Sequence, residues 1–187
     1  LLYPCFCTRS EIKTEIAKSA YAPHGPDGPA YPGICRNISD EKREDRMDDG
    51  EAFVRRINMK GATAIAGPLG WKDTGLGMNK AQPDKFGDVV LARKDVPTSY
   101  HLAVTVDDHL QGITLVNRGA DLAPSTDIHR LLQALLNLNT PTYHHHQLLT
   151  DNQGQRYAKR NNSLTIRILR NEGHSAAAVR EMAFANV

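Results

Sequence analysis

Residues 22–33 constrain the fold more than any other part of the sequence. They hold Pro23, Pro26, Pro29 and Pro32 together with Gly25, Gly28 and Gly33. Proline fixes φ and lacks the amide donor that a helix interior or a central strand requires, so the segment is a loop. It carries too few apolar side chains to order itself by burial, and such a loop needs a clip. The cysteines stand at its approaches, Cys5-Phe6-Cys7 before it and Cys35 after it. A Cys-x-Cys pair offers two thiolates from one turn and Cys35 a third across the loop, the soft donors of a tetrahedral zinc site. On spacing alone two readings stand level. One is a structural zinc site, with His24 considered before Tyr31 as fourth ligand. The other is three reduced thiols, one or more of them in the core.

Composition narrows the class. The 187 residues are 40 % hydrophobic and 24 % charged, as in one soluble globular domain and unlike a disordered or fibrous chain. Apolar runs are only a few residues long, which excludes a membrane span and membrane partners. Lys+Arg 23 against Asp+Glu 21 leaves a formal charge of +2, so bulk charge makes no case for nucleic acid. An odd cysteine count suits a metal site or free thiols, and hence the cytoplasm, better than a disulfide framework. The chain opens Leu1-Leu2-Tyr3-Pro4-Cys5, with neither Met nor a signal-peptide pattern. The expectation is a piece whose N-terminal part precedes Leu1.

Periodicity sets the expected elements. Thr8-Arg9-Ser10-Glu11 reads as a capping box that opens a helix running to about Ser19. Residues 39–50 are densely charged, as on a solvated helix or connector. Residues 51–58 alternate weakly and read as a strand, while residues 60–87, rich in Gly and Pro around Trp71, show no period. Residues 88–93 read as a buried strand. Residues 100–106, with Tyr, Leu, Val and Val at period two, read as another, and residues 113–116 as a third. Ile128, Leu131, Leu132, Leu135 and Leu136 mark an amphipathic helix, with Pro124, Ser125 and Thr126 at its start. Residues 143–149 read as a strand and 151–154 as a turn. Residues 164–171 and 175–185 read as two short helices joined at Gly173, the second capped by Ser175. Strands interleaved with helices predict an α/β layer architecture.

Three further groups could carry chemistry. His144-His145-His146 on a strand would point to alternate faces and cannot converge on one metal, so a surface or groove role is the better reading. His109 and His129 stand alone and receive no role. The basic run Arg156-Tyr157-Ala158-Lys159-Arg160 could hold phosphates, with Lys159 as a point charge, or could be solvated surface. Tyr100, Asp107, Asp108, Arg118 and Asp121 fall near expected strand ends, where α/β sheets bind ligands. An Arg there could fork onto a carboxylate, and structural ion pairs are an equal reading.

Taken together these strings resemble a known family. Residues 100–122 (YHLAVTVDDHLQGITLVNRGADL), 125–136 (STDIHRLLQALL) and 156–160 (RYAKR) are similar to the glutamyl-tRNA synthetase-like enzymes, which are class I aminoacyl-tRNA synthetases. The similarity is closer to their truncated branch, the glutamyl-Q tRNA(Asp) synthetases, which lack an anticodon-binding domain. The run Arg118-Gly119-Ala120-Asp121-Leu122 followed by Ser125-Thr126 favours that branch, since ordinary glutamyl-tRNA synthetases tend to show RGDDHL and then NTP. The short extent of chain after RYAKR also favours it. So do residues 3–12 (YPCFCTRSEI) and 31–36 (YPGICR), which resemble its zinc segment.

The resemblance implies the C-terminal part of a Rossmann-like catalytic domain with a zinc-binding insert and a helical tail. Its expected divisions are a zinc segment at 1–46, a partial catalytic domain at 47–160 and the tail at 161–187. It implies ATP-dependent activation of glutamate, with Mg2+, and transfer of glutamate to queuosine in the anticodon of tRNA(Asp). Cys5, Cys7, Tyr31 and Cys35 match the zinc ligands, Tyr being the unusual fourth. Tyr100 and Arg118 match the glutamate-binding Tyr and Arg. Arg156, Tyr157, Ala158, Lys159 and Arg160 take the place of the KMSKS-type loop, with Tyr157-Ala158 where Leu-Ser or Met-Ser is commoner. Lys159 matches the Lys that meets the ATP phosphates during adenylate formation. The HIGH-type motif would lie upstream of Leu1, so these residues alone are expected to be inactive. Two alternatives remain: a piece of an ordinary glutamyl-tRNA synthetase charging tRNA(Glu), and a non-catalytic zinc-stabilised module that binds RNA or protein.

Overall fold

The computed structural model describes residues 1–18, 24–25, 28–150, 153, 157 and 165–184, with the backbone alone at 18, 24 and 25. In chain order the elements are β1 (Leu2–Cys5), α1 (Arg9–Lys18), β2 (His24–Gly25), β3 (Gly28–Pro29), α2 (Asp40–Asp48), β4 (Val54–Ile57), α3 (Met59–Ala66), β5 (Gly70–Asp73), β6 (Gly77–Lys80) and β7 (Val90–Ala92). They continue with α4 (Tyr100–Leu110), β8 (Leu115–Gly119), α5 (Thr126–Leu135), β9 (Thr142–His146), α6 (Ile166–Asn171) and α7 (Ala176–Phe184). Strands and helices interleave, so the chain is α/β. None of the described helices is long and apolar enough to cross a membrane.

The chain forms two compact units, Leu1–Val116 with Ala123–His144, and Asn117–Leu122 with His145–Val187. In the first unit β4 is the middle strand of an antiparallel sheet ordered β1–β4–β7, with Cys5 opposite Val54 and Tyr3 opposite Arg56. A second sheet is ordered β6–β5–β9–β8. There β5 runs antiparallel to β6 and parallel to β9, with Asp73 opposite Tyr143. Within the loop expected at 22–33, β2 and β3 pair as a minimal hairpin, His24 opposite Pro29.

Helix α5 anchors the main core. Ile128, Leu131 and Leu132 are almost fully buried and meet Ile57, Met59, Ala62, Phe86 and Leu91 from β4, α3 and the segment into β7. Burying each such aliphatic side chain contributes about 1.5–3 kcal/mol. The helix stops at Asn137, whose φ of 54° is the left-handed conformation Asn tolerates at a C-terminus. A smaller cluster joins Trp71, Ala81 and Tyr143, the two large rings meeting edge to face at 5.6 Å.

The strand expected over 100–106 is a helix, α4. Ser99 caps it, its hydroxyl accepting from the Leu102 amide at 3.4 Å. Period two put Thr105 opposite Leu102, but three residues apart on a helix they share a face. That face packs inward: Thr105 is buried, Leu102 touches the main core and Tyr100 is half exposed. The featureless residues 60–87 hold α3, β5 and β6. Their strands are four residues long, too short and Gly-rich to print a period. The strand expected at 113–116 starts later and runs to Gly119, and that expected at 143–149 ends at His146.

In the second unit α6 and α7 stand where two short helices were expected. Thr165 caps α6, accepting from Ile168 at 3.2 Å, and Ser175 caps α7, accepting from Ala178 at 3.2 Å. Gly173 turns the chain between them at φ 89°. Apart from Gln153, the turn expected at 151–154 lies outside the described residues.

Candidate functional site

The fold brings the predicted metal ligands to one place. Cys5 ends β1, Cys7 follows two residues later, and the capping box at Thr8 starts α1 directly after it. In that box Glu11 donates its amide to the Thr8 hydroxyl at 3.2 Å and accepts the Thr8 amide at 2.6 Å. Tyr31 is fixed by a bridge to Gly87. Cys35 sits in a 3-10 turn, Ile34–Asn37, entered through Gly33 at φ 83°. A Cβ on Gly33 would meet only the movable end of the Arg36 side chain, so it is the left-handed turn that calls for glycine.

The resulting cluster is tight and largely closed off. One ligand atom from each of Cys5, Cys7 and Cys35 lies within 4.8 Å of the others, and the Cys7 and Cys35 sulfurs are 3.3 Å apart. The Cys5 thiol donates to the Tyr31 hydroxyl at 3.3 Å, Cys7 Sγ lies 3.5 Å from it, and the Cys35 amide donates to it at 2.9 Å. Cys5 and Cys35 are buried and Cys7 is half buried. Phe6, Tyr3, Ile38 and Phe53 wall the cluster. The three sulfurs, with no disulfide among them, could hold a metal ion, and the Tyr31 phenol oxygen lies beside them. The side chain of His24 lies outside the described residues.

Burial and neighbours act differently on Cys5 and Cys7. Burial pushes Cys5 up, yet the Tyr31 hydroxyl and the Arg56 guanidinium favour its ionised sulfur and hold it below the ordinary thiol value. Burial, together with the adjacent Cys35, pushes Cys7 up to about 12. Tyr31 is raised well above an ordinary phenol by burial and by its bonds to Cys5 and Cys7. A cation that ionises these two sulfurs would therefore find Cys5 already disposed to bind and Cys7 needing to be driven.

Asp88 braces the cluster from behind. It is 2 % exposed and accepts from the Tyr3 hydroxyl at 2.6 Å, from Arg36 at 3.0 Å and from the Met59 amide at 2.9 Å. The strand of Cys5, the turn of Cys35 and the start of α3 are thereby tied to one carboxylate. Sequence reading missed it, because nothing local marks an Asp at the head of a strand as a tertiary hub.

The predicted amino-acid-binding residues lie in different units. Tyr100 opens α4 in the first. Its ring centroid lies 5.7 Å from those of His101 and His129, edge-on to both. His101 Nδ1 and His129 Nε2 are 3.2 Å apart, and His129 is 2 % exposed. His129 received no role from the sequence. Its signal was a polar stripe, Thr126, His129 and Gln133, running beside the apolar one on α5; all three are buried. Gln133 donates to the Tyr143 hydroxyl at 2.9 Å.

Arg118 stands on β8 in the second unit, its Nε donating to His145 Nε2 at 3.1 Å. His144 Nδ1 lies 2.6 Å from the Thr74 hydroxyl. His144 and His145 thus find separate partners, in keeping with the alternation expected of a strand. Tyr157 is exposed, with its amide donating to the Leu149 carbonyl at 3.2 Å. Arg156, Ala158, Lys159 and Arg160 lie outside the described residues.

The chain is similar to known proteins. The family model described as tRNA synthetases class I (E and Q), catalytic domain, matches residues 1–184. Glutamyl-Q tRNA(Asp) synthetase of Rhodobacter capsulatus is 40 % identical, over 97 % of this chain and 66 % of its own length. That of Nitratidesulfovibrio vulgaris is 40 % identical, over 95 % of this chain and 53 % of its own length. Glutamate–tRNA ligase of Treponema denticola is 33 % identical over 95 % of this chain. The chain thus spans between about half and two thirds of the length of the two most similar of these relatives. The crystal structure of glutamate-tRNA synthetase from Elizabethkingia anophelis superposes with a TM-score of 0.65 at 21 % identity, covering 92 % of this chain and 34 % of that one, a likeness of fold. The chain therefore belongs to the class I tRNA synthetases of the E and Q type, within their catalytic domain.

Proposed function

We propose that this chain is part of a glutamyl-Q tRNA(Asp) synthetase, which activates glutamate with ATP and transfers it to queuosine in the anticodon of tRNA(Asp). The observation that carries the reading is the higher identity to relatives of that name, 40 % against 33 % for the glutamate–tRNA ligase. The sulfur–phenol cluster agrees with it, since the resemblance implies a tyrosine as fourth ligand. Tetrahedral zinc with 2.3 Å bonds sets its sulfur ligands about 3.8 Å apart, and sulfurs within 4.8 Å of one another accommodate that with small adjustments. Cys5, Cys7, Tyr31 and Cys35 would hold the zinc, whose part is to fix the loop.

The remaining assignments follow the resemblance. Arg118 would pair with the glutamate carboxylate and Tyr100 would hydrogen-bond it. Lys159, within 156–160, would meet the ATP phosphates, with Mg2+, and stabilise charge building up as the glutamate α-carboxylate attacks the α-phosphate. Positioning does the rest, and no protein nucleophile is needed. The partners are glutamate, ATP and tRNA(Asp), and the place of work is the cytoplasm.

Glutamate-dependent exchange of pyrophosphate into ATP tests the activation step in the protein at its native length. Arg118→Ala should raise the KM for glutamate at least tenfold, as loss of a charged fork implies, and Lys159→Ala should lower kcat with the fold intact. An unchanged KM in the first or an unchanged kcat in the second would remove that residue from the reading.

A further inference from the structure

Arg56 stands against the sulfur–phenol cluster, with no carboxylate of its own among the described residues. It lies on the middle strand of its sheet, opposite Tyr3 of the strand that ends in Cys5 and opposite Val90 of β7. Its guanidinium carbon sits 3.9 Å from the centre of the Tyr31 ring. One terminal nitrogen donates to the main-chain oxygen of Asp88 at 2.7 Å, and its Nε is buried without a hydrogen-bond partner. Among the described residues no carboxylate pairs with it. The Asp88 carboxylate serves Tyr3, Arg36 and the Met59 amide, and the other guanidinium near the thiols, Arg46, is paired with Glu51.

Arg56 is partly buried, and a guanidinium partly withdrawn from water without a counter-ion is costly to keep. Three thiolates around a divalent cation carry one net negative charge, and two if the phenol also ionises. That charge is equally costly to bury alone. The two costs cancel if the same site holds both. The flat guanidinium also covers the face of Tyr31, which fixes the plane of the phenol whose oxygen reaches Cys5 and Cys7.

Resting on the zinc reading above, we propose that Arg56 is the counter-charge of the metal centre. It is a positioning residue that covers Tyr31 and neutralises the excess negative charge of the three thiolates, and so sets the affinity for zinc. Partners just outside the ligands of other metal sites act at this scale, changing affinity about 10- to 100-fold.

The test titrates the 187-residue chain with zinc chloride against a chromophoric chelator and follows unfolding with and without the metal. Arg56→Gln should raise the zinc Kd about 10- to 100-fold, while its metal-free form unfolds at a midpoint no lower than that of the metal-free parent. Arg56→Lys, which keeps the charge and loses the flat fork, should stay within roughly threefold of the parent. A Gln variant within about twofold of the parent would overturn the inference and leave the zinc reading standing. So would a Lys variant as weak as the Gln variant, or a metal-free Gln variant destabilised as much as its zinc form. Should the Gln variant not fold, Arg56→Met, which also removes the charge, is measured in its place against the same limits. A parent chain that takes up no zinc would overturn the zinc reading, and the inference with it.

Discussion

Asp88 concentrates in one carboxylate the contacts that hold the cysteine cluster together. Asp88→Asn removes the charge but not the volume, and the bonds from Tyr3 and Arg36 weaken together. The expected cost is about 2 kcal/mol, measured by urea unfolding of the metal-free chain. Cys35→Ser should release the metal and lower the unfolding midpoint of the loaded chain; retained zinc would point to another ligand set. Individual residues were unevenly legible. The thiols announce themselves by type and spacing, and the resemblance supplied Tyr31. Arg56 and Asp88 do not announce themselves, because their roles come from strand register, which pairs Tyr3 with Arg56 and sets Asp88 behind both.

Among the elements, α5 was the most legible, because five apolar residues at helical spacing leave no other period. Its Leu131 is 1 % exposed, so Leu131→Ala should destabilise the chain by about 2–5 kcal/mol, read from denaturant midpoints. Helix α1 was legible from its capping box alone. The Thr8 amide and hydroxyl hold Glu11 below the ordinary carboxylate range. Its folded value is thus depressed, and its contribution is complete above the unfolded value and lost as pH falls through the folded one. Far-UV circular dichroism should show α1 losing helicity in that acid window, and Thr8→Ala should remove the effect. Helix α4 was misread because Tyr100, Leu102, Val104 and Val106 alternate by accident. The true signal was Ser99 ahead of Leu102 and Thr105 on one face. Strands of four residues, such as β5 and β6, leave too little sequence for any period to emerge.

At the scale of the molecule, the α/β class followed from interleaved periods, and the family from three strings that match only in combination. The division into two units did not follow, because it cuts β8 and β9 rather than a Pro- or Gly-rich linker. Stripping the metal with a chelator should lower the unfolding midpoint of the whole chain, and added zinc should restore it by mass action. The central claim is the identity of the acceptor. The decisive measurement incubates the protein at its native length with labelled glutamate, ATP and either tRNA(Asp), with and without queuosine, or tRNA(Glu). The account predicts label on queuosine-containing tRNA(Asp) alone. Label on tRNA(Glu), or on tRNA(Asp) regardless of queuosine, would contradict it.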